Sequence, residues 1–409
     1  MTDNHPKLRP LNVQWVDWEG RAMVSLQDPL RLGGSGIMVP EVMAQLLALS
    51  DGTRDLDQLR QGFSLRTGVD LLPNQVESLV QALDEAYMLD SPRFRQALDR
   101  VMANYRQGPF RTPALAGGSY PADPKKLQTT MDHYSEETGE VGLRPAGSLD
   151  GTVVGLISPH IDYPRGWRTY AETWRRVRSE VKAAQRIIIL GTDHAGQPGS
   201  LTLTRQSYAT PWGALPTDTV VVDRLASILG EDQAFAQEAN HIGEHSIELA
   251  AVWLHYIAGG EPKTLIPILC GGPAPLLESQ DGSARGAWEA ADLLAGLAAS
   301  DDTLVVAAAD ISHVGPTFGD ETPLDDAAKE QIRSSDQSWL EAACAGDSAR
   351  LRDHMVANGD PTRICGATPI YLMSSILGKA QGHVVSYDQC PADESFGSMV
   401  SVAGVLYDR

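Results

Sequence analysis

The sequence predicts an α/β protein: a three-layer α/β domain over residues 106–409, preceded by a small α+β domain over residues 1–105. Three observations carry this reading. Short continuous apolar runs recur at 152–158, 186–191, 264–270 and 303–309, each bounded by polar turns. Strands covered on both faces have that pattern. Helical stretches lie between them at 170–184, 246–257 and 286–299, and such alternation builds a sheet with helices on both sides. The first hundred residues lack this alternation, and Gly108-Pro109 and Thr112-Pro113 break the chain between the two patterns.

In the small domain, residues 13–18 and 22–26 read as two strands around a turn at Glu19-Gly20. Residues 40–49 read as a helix with Val39-Pro40 at its start. After the turn at Asp51-Gly52, Thr53 and Asp55 can cap a second helix carrying Leu56, Leu59 and Phe63. Pro73 opens a third helix, with Val76, Leu79, Val80 and Leu83 at helical spacing. Residues 87–89 read as a closing strand, and 91–106 as a linker helix. This order resembles small winged-helix modules and the peptide-chaperone domain of the pyrroloquinoline quinone pathway, through Asp51-Gly52-Thr53-Arg54 before a helix and the segment 83–89. The segment is read as an accessory packing or dimerisation domain or, as the resemblance implies, as a peptide- or partner-binding unit.

Charge narrows the function. The chain carries 53 acids against 33 bases, a formal charge of −20. A field of that sign repels phosphate backbones, and the small domain shows no basic stripe, so nucleic acid is not expected as a partner. Cys270, Cys344, Cys365 and Cys390 are spaced 74, 21 and 25 residues apart. No CxxC zinc pattern or disulfide framework fits those spacings. The polar first ten residues and the lack of a long apolar run predict no signal peptide, no membrane span and a cytoplasmic protein.

Chemistry is concentrated just past the strands of the large domain. The first runs into Ser158-Pro159-His160-Ile161-Asp162-Tyr163 and the second into Gly191-Thr192-Asp193-His194. The fourth runs into Asp310-Ile311-Ser312-His313. Ligands of open α/β sheets bind beyond the carboxyl ends of the strands. A further group, Glu244-His245-Ser246-Ile247-Glu248, enters a helix, and Cys365-Gly366 precedes another, where the helix terminus favours a thiolate. Taken singly, each has an ordinary reading: a structural hydrogen-bonder for a histidine, a small core residue for Cys365. Three of the ten histidines at equivalent strand ends point instead to a ligand set or to acid–base groups. Asp162 reads either as a partner for an imidazole or as a helix N-cap. Tyr163, Arg165, Trp167 and Arg168 line either a pocket or a surface loop, and 386–388 and 393–398 are candidates for a lid or pocket wall.

Several motifs in order resemble the Memo family, which includes the B component of the AmmeMemoRadiSam system. They are Arg111-Thr112-Pro113 with 115–123, 158–163, 191–194, Thr210-Pro211-Trp212-Gly213 with Asp218, 244–248, 267–269, 310–315 and Ile364-Cys365-Gly366 with Pro369-Ile370. That family is similar to class III extradiol dioxygenases, which use non-haem iron held by two histidines and a carboxylate. The resemblance implies His160, His194 and Cys365 as metal ligands. It places His313, Asp310 and His245 as neighbouring or acid–base groups. Two imidazoles and a thiolate leave positions open, which suits Fe(II); the soft thiolate also suits Zn or Cu.

Three functions follow. The first is a metal-dependent, dioxygenase-like oxidoreductase acting on a small molecule or peptide. The second is a non-catalytic metal- or peptide-binding protein. The third is a partner of a radical-SAM modification system, implied by the family resemblance; this chain has no CxxxCxxC motif of its own. GxSxG, P-loop and GxGxxG motifs are likewise missing, so serine hydrolysis and nucleotide-driven chemistry are not expected.

Overall fold

The structure is a computed structural model that describes residues 5–30, 32–34, 36–138, 151–278 and 284–409. The chain divides into two compact units, Met1–Gly108 and Pro109–Arg409.

In the first unit, β1 (Asn12–Trp18) and β2 (Arg21–Gln27) form an antiparallel hairpin with Trp18 opposite Arg21. Glu19 and Gly20 both adopt positive φ in the turn. The segment read as a helix start is instead β3 (Ile37–Pro40), added to the other side of β2. Val39 pairs with Val24 and is buried, and Pro40 ends an edge strand, where a missing N–H is tolerated. The helix begins later, as α1 (Ala44–Leu49). In α2 (Leu56–Thr67), Asp55 accepts from the Gln58 N–H while the Gln58 side chain returns to Asp55, a reciprocal cap. α3 (Pro73–Glu85) starts on its proline, and α4 (Pro92–Gln107) is capped by Ser91. The expected strand at 87–89 does not form. Tyr87 is left-handed at φ 58°, and Leu89 makes only an isolated bridge to Leu8. Leu26, Leu46, Leu59, Phe63, Val80 and Leu83 fill this unit's core.

The second unit begins with α5 (Pro124–Glu137) and β4 (Val153–Ser158). Asp162 caps α6 (Tyr163–Arg176), so that helix starts earlier than the sequence pattern suggested; it breaks at Val177 and resumes as α7 (Arg178–Ala183). β5 (Arg186–Thr192), β6 (Leu201–Leu203) and the small pair β7 (Tyr208–Thr210) and β8 (Gly213–Leu215) follow. Next come α8 (Thr219–Leu229), the short α9 (Glu231–Phe235) and α10 (Asn240–Gly243), and α11 (Ser246–Ile257). β9 (Thr264–Cys270), α12 (Ala274–Glu278), α13 (Arg285–Ala298), β10 (Thr303–Ala308) and β11 (His313–Val314) continue the chain. It ends with α14 (Asp326–Ala343), α15 (Ser348–Asn358), α16 (Ala367–Leu377), β12 (Gln381–Pro391) and β13 (Met399–Asp408).

Among the described residues the main sheet has eight strands in the order β11-β13-β4-β10-β5-β9-β6, with β12 paired to β13. The four central strands β4, β10, β5 and β9 run parallel, and β13 and β6 are antiparallel to their neighbours. Side chains alternate between two cores, as a sheet covered on both faces requires. Ile188 and Leu190 of β5 pack with α8, α13 and α16, whereas Ile187 and Ile189 pack with α6 and α11. The result is the three-layer α/β architecture. Register matters most for function: Ala308 lies beside both Ser158 and Gly191. The carboxyl ends of β4, β10 and β5 therefore line up, and whatever follows each of them meets at one edge.

Candidate metal centre

The aligned ends bring His160 (two residues past β4), His194 (two past β5) and Asp310 (two past β10) together. Cys365 arrives from the far side, one residue before the Gly366 cap of α16. Gly366 permits this approach: a Cβ there would sit 2.5 Å from the Asp310 carbonyl oxygen. Donor atoms of His160, His194 and Cys365 all lie within 4.8 Å of one another. Cys365 Sγ is 3.2 Å from His160 Nε2.

The other nitrogen of each imidazole is engaged. His160 Nδ1 meets the Ala308 carbonyl at 3.0 Å, and His194 Nδ1 meets Glu244 Oε2 at 3.0 Å. Both partners can only accept, so each Nδ1 carries the proton and each Nε2 is left to bind something else. Asp310 is buried; its Oδ1 accepts the His160 N–H at 2.8 Å and the Ile161 N–H at 3.3 Å, fixing the loop that carries the first imidazole.

Glu244 is the hub of the site; the sequence placed it in the 244–248 group at a helix start but gave it no role of its own. Oε2 accepts from the main chain of His194 at 3.1 Å as well as its ring, and Oε1 accepts from the N–H groups of His245 at 2.7 Å and Ser246 at 3.0 Å. The His245 ring Nδ1 also lies 3.1 Å from Oε1. One carboxylate thus aligns two imidazoles, which stack at 5.0 Å with planes 9° apart. His160 stands edge-on to both, at 5.1 Å and 5.4 Å. His194, Glu244 and His245 also form a second group of close donor atoms. Glu244 already accepts from three main-chain amides, so a holding role fits it better than a ligand role.

Burial opposes charge here, but the groups stabilise one another. Burial raises a thiol, yet His160, with His194 and His313 nearby, brings Cys365 down to about 5. Burial disfavours the His160 imidazolium, yet Asp310 and Cys365 pull it up to about 9. Glu244 raises His194 and is itself held below the usual carboxylate range by that imidazole and by His245. Each group thus favours the charged form of the other, and a divalent cation would take the place of the proton between them. Donors around a tetrahedral ion lie roughly 3.4–3.8 Å apart, so the arrangement fits a metal with only small side-chain movement.

His313 opens β11, half-buried. Its Nδ1 lies 3.2 Å from the Ile311 carbonyl and its ring meets Phe318 edge-on at 5.1 Å. Asp162 is an N-cap, accepting from the Arg165 N–H at 3.3 Å. The aromatic run after His160 folds into α6. Tyr163 is buried and donates to the Leu249 carbonyl at 2.8 Å, and Trp167 stacks on Tyr134. Residues 386–388 belong to β12.

A parallel-centred three-layer sheet with two histidines and a cysteine converging at its carboxyl edge defines a class of α/β proteins with a candidate mononuclear metal site. The chain belongs to the Memo-like protein family, whose pattern matches residues 111–406. It is similar to a MEMO1 family protein of Aquifex aeolicus, 24% identical over 93% of this chain and 95% of that one. It is also similar to the MEMO1 family protein MK0963 of Methanopyrus kandleri, 25% identical over 73% and 99%. The Protein memo-1 homolog of Caenorhabditis elegans is 27% identical over 64% and 70%. No helix among the described residues is long and apolar enough to cross a membrane.

Proposed function

We propose that the chain is a cytoplasmic metal-dependent, dioxygenase-like oxidoreductase with one Fe(II) held by His160, His194 and Cys365. The observation that carries this is convergence with Nδ1 atoms already engaged: one donor atom from each of His160, His194 and Cys365 lies within 4.8 Å of the others. When bound, the metal supplies Lewis acidity and one-electron redox chemistry. The protein's part is to bind, orient and move protons. His245, held parallel to His194 by Glu244, has Nδ1 engaged and would accept a proton from a substrate hydroxyl on its other ring nitrogen. That ring would also return the proton, and His313, with Nδ1 directed at a carbonyl, keeps its Nε2 as a second acid–base group toward the substrate. Asp310 acts by holding the His160 main chain.

The test is metal content of anaerobically purified protein. About one iron per chain is expected, with binding at least tenfold weaker in Cys365→Ser. Zn or Cu at that stoichiometry would replace Fe(II) in this reading, and no binding of any of the three would end it.

The first unit favours a second reading. Its edge strand β1 exposes Val13, Trp15 and Trp18, and an unpaired edge is a template for an extended peptide. Here the chain is a binding partner in a radical-SAM-associated modification system, with the first unit capturing peptide. Trp15→Ser abolishing co-purification with a radical-SAM partner, at unchanged metal content, would support it.

A further inference from the structure

Deep in the second unit, away from solvent, Arg111 and Glu248 form an ion pair in which both residues are 1% exposed. The guanidinium has further engagements. Its Nε donates to the His241 carbonyl at 2.8 Å, its Nη2 donates to the Glu244 carbonyl at 2.8 Å, and it lies 5.2 Å from the Tyr208 ring centre. Those two carbonyls belong to the end of α10, where main-chain acceptors have no helical partner and a cation is favoured. Glu248, in the first turn of α11, accepts from the main chain of Ala114 at 2.7 Å and Leu115 at 2.9 Å, and from the Tyr120 hydroxyl at 2.5 Å. The main chain of Arg111 is pinned as well, donating to the Ser207 carbonyl at 2.7 Å.

The pair thus grips the main chain on both sides of the residue whose side chain aligns His194 and His245. Glu244 can hold two imidazoles only if its own backbone stays put between α10 and α11. A guanidinium is suited to that task because its planar fork reaches two carbonyls and a carboxylate at once, which an ammonium cannot do.

We propose that Arg111, neutralised by Glu248, is a positioning residue for the metal centre: it fixes the Glu244 main chain and thereby the direction of the His194 and His245 rings. This rests on the metal reading above, and the experiment separates the two. Co²⁺ is titrated into the full chain, reading affinity and the thiolate-to-Co²⁺ absorption band from Cys365. Absence of that band in the wild type would sink the metal reading itself.

Given the band, Arg111→Lys is expected to bind Co²⁺ about 10–100-fold more weakly, the range typical of groups that orient ligands, with a changed ligand-field spectrum. Tyr120→Phe removes a hydrogen bond from Glu248 without touching Arg111, and its affinity should stay within about threefold of wild type while its unfolding temperature falls. If Arg111→Lys does not fold, the double variant Arg111→Met with Glu248→Met, which leaves no buried charge unpaired, is held to the same criterion. Wild-type affinity and spectrum in the folded variant, with only the unfolding temperature lowered, would make the pair a structural element alone and overturn the proposal.

Discussion

Two pairs of histidines in the same unit differ in what their ring nitrogens are left to do. His241 and His255 have both nitrogens engaged. Tyr208 donates to His241 Nδ1 at 2.6 Å and its Nε2 meets the Thr202 carbonyl at 3.0 Å. The Thr210 hydroxyl meets His255 Nδ1 at 2.7 Å and its Nε2 meets the Gly260 carbonyl at 3.0 Å. His160 and His194 have Nδ1 tied to main chain or carboxylate; His160 Nε2 faces Cys365 Sγ at 3.2 Å, with Asp310 Oδ2 3.8 Å away, and the His194 ring also reaches Cys365. His194 is the exposed member of the first pair, and burial does not separate His160 from His241, which are 1% and 0% exposed. The neighbours do. Burial, with the Arg111 charge outweighing the pull of Glu244, drives His241 down to about 3, whereas Asp310 and Cys365 pull His160 up to about 9 against its burial. A histidine becomes a ligand candidate when the fold satisfies one nitrogen and leaves the other facing a second donor.

The largest expected effect tests that distinction directly. His160→Ala should lose more than about a hundredfold in metal affinity, beyond the cost of losing an orienting group, while His241→Gln keeps wild-type metal content by elemental analysis. Equal losses in both would erase the difference between the pairs. Glu244→Gln comes next. It retains the shape but not the charge that holds two imidazoles, so affinity should fall about 10–100-fold by Co²⁺ titration; an unchanged value would remove Glu244 as the hub.

The neutral pair carries its own pH signature. The folded value of His241 near 3 lies below the ordinary 6.5, so the unfolded chain binds more protons between these limits. Stability is complete above the upper limit and is lost as pH falls toward the lower one. The loss should be on the order of a few kcal/mol across that window by chemical denaturation. His241→Gln, which can accept from Tyr208 and donate to Thr202, should flatten the dependence, and a profile as steep as wild type would assign it to other groups. The smallest expected effect on metal is that of His313→Ala. Affinity within about threefold of wild type, with any turnover lost, is expected; loss of metal would move His313 into the ligand set.

Much of this was legible in the sequence because it is local. The apolar runs became β4, β5, β9 and β10, since a strand covered on both faces must be apolar throughout. Helix starts signalled by Asp55 and Pro73 formed where the capping chemistry placed them. The expected strand at 87–89 failed on a single left-handed residue, Tyr87, and Val39-Pro40 became strand because β2 offered a partner. Propensity alone cannot foresee either outcome.

The site divides along the same line. Sequence alone determined that histidines stand two residues past two strands and that a cysteine precedes a helix, because side-chain type and short-range order are written there. Only the tertiary structure decided which nitrogen each imidazole keeps free. That choice depends on the Ala308 carbonyl, the Glu244 carboxylate and the Arg111–Glu248 pair, partners 50 to 148 residues away from the groups they hold. Hydrogen bonds of that span are set by strand register and helix placement, which no local pattern encodes.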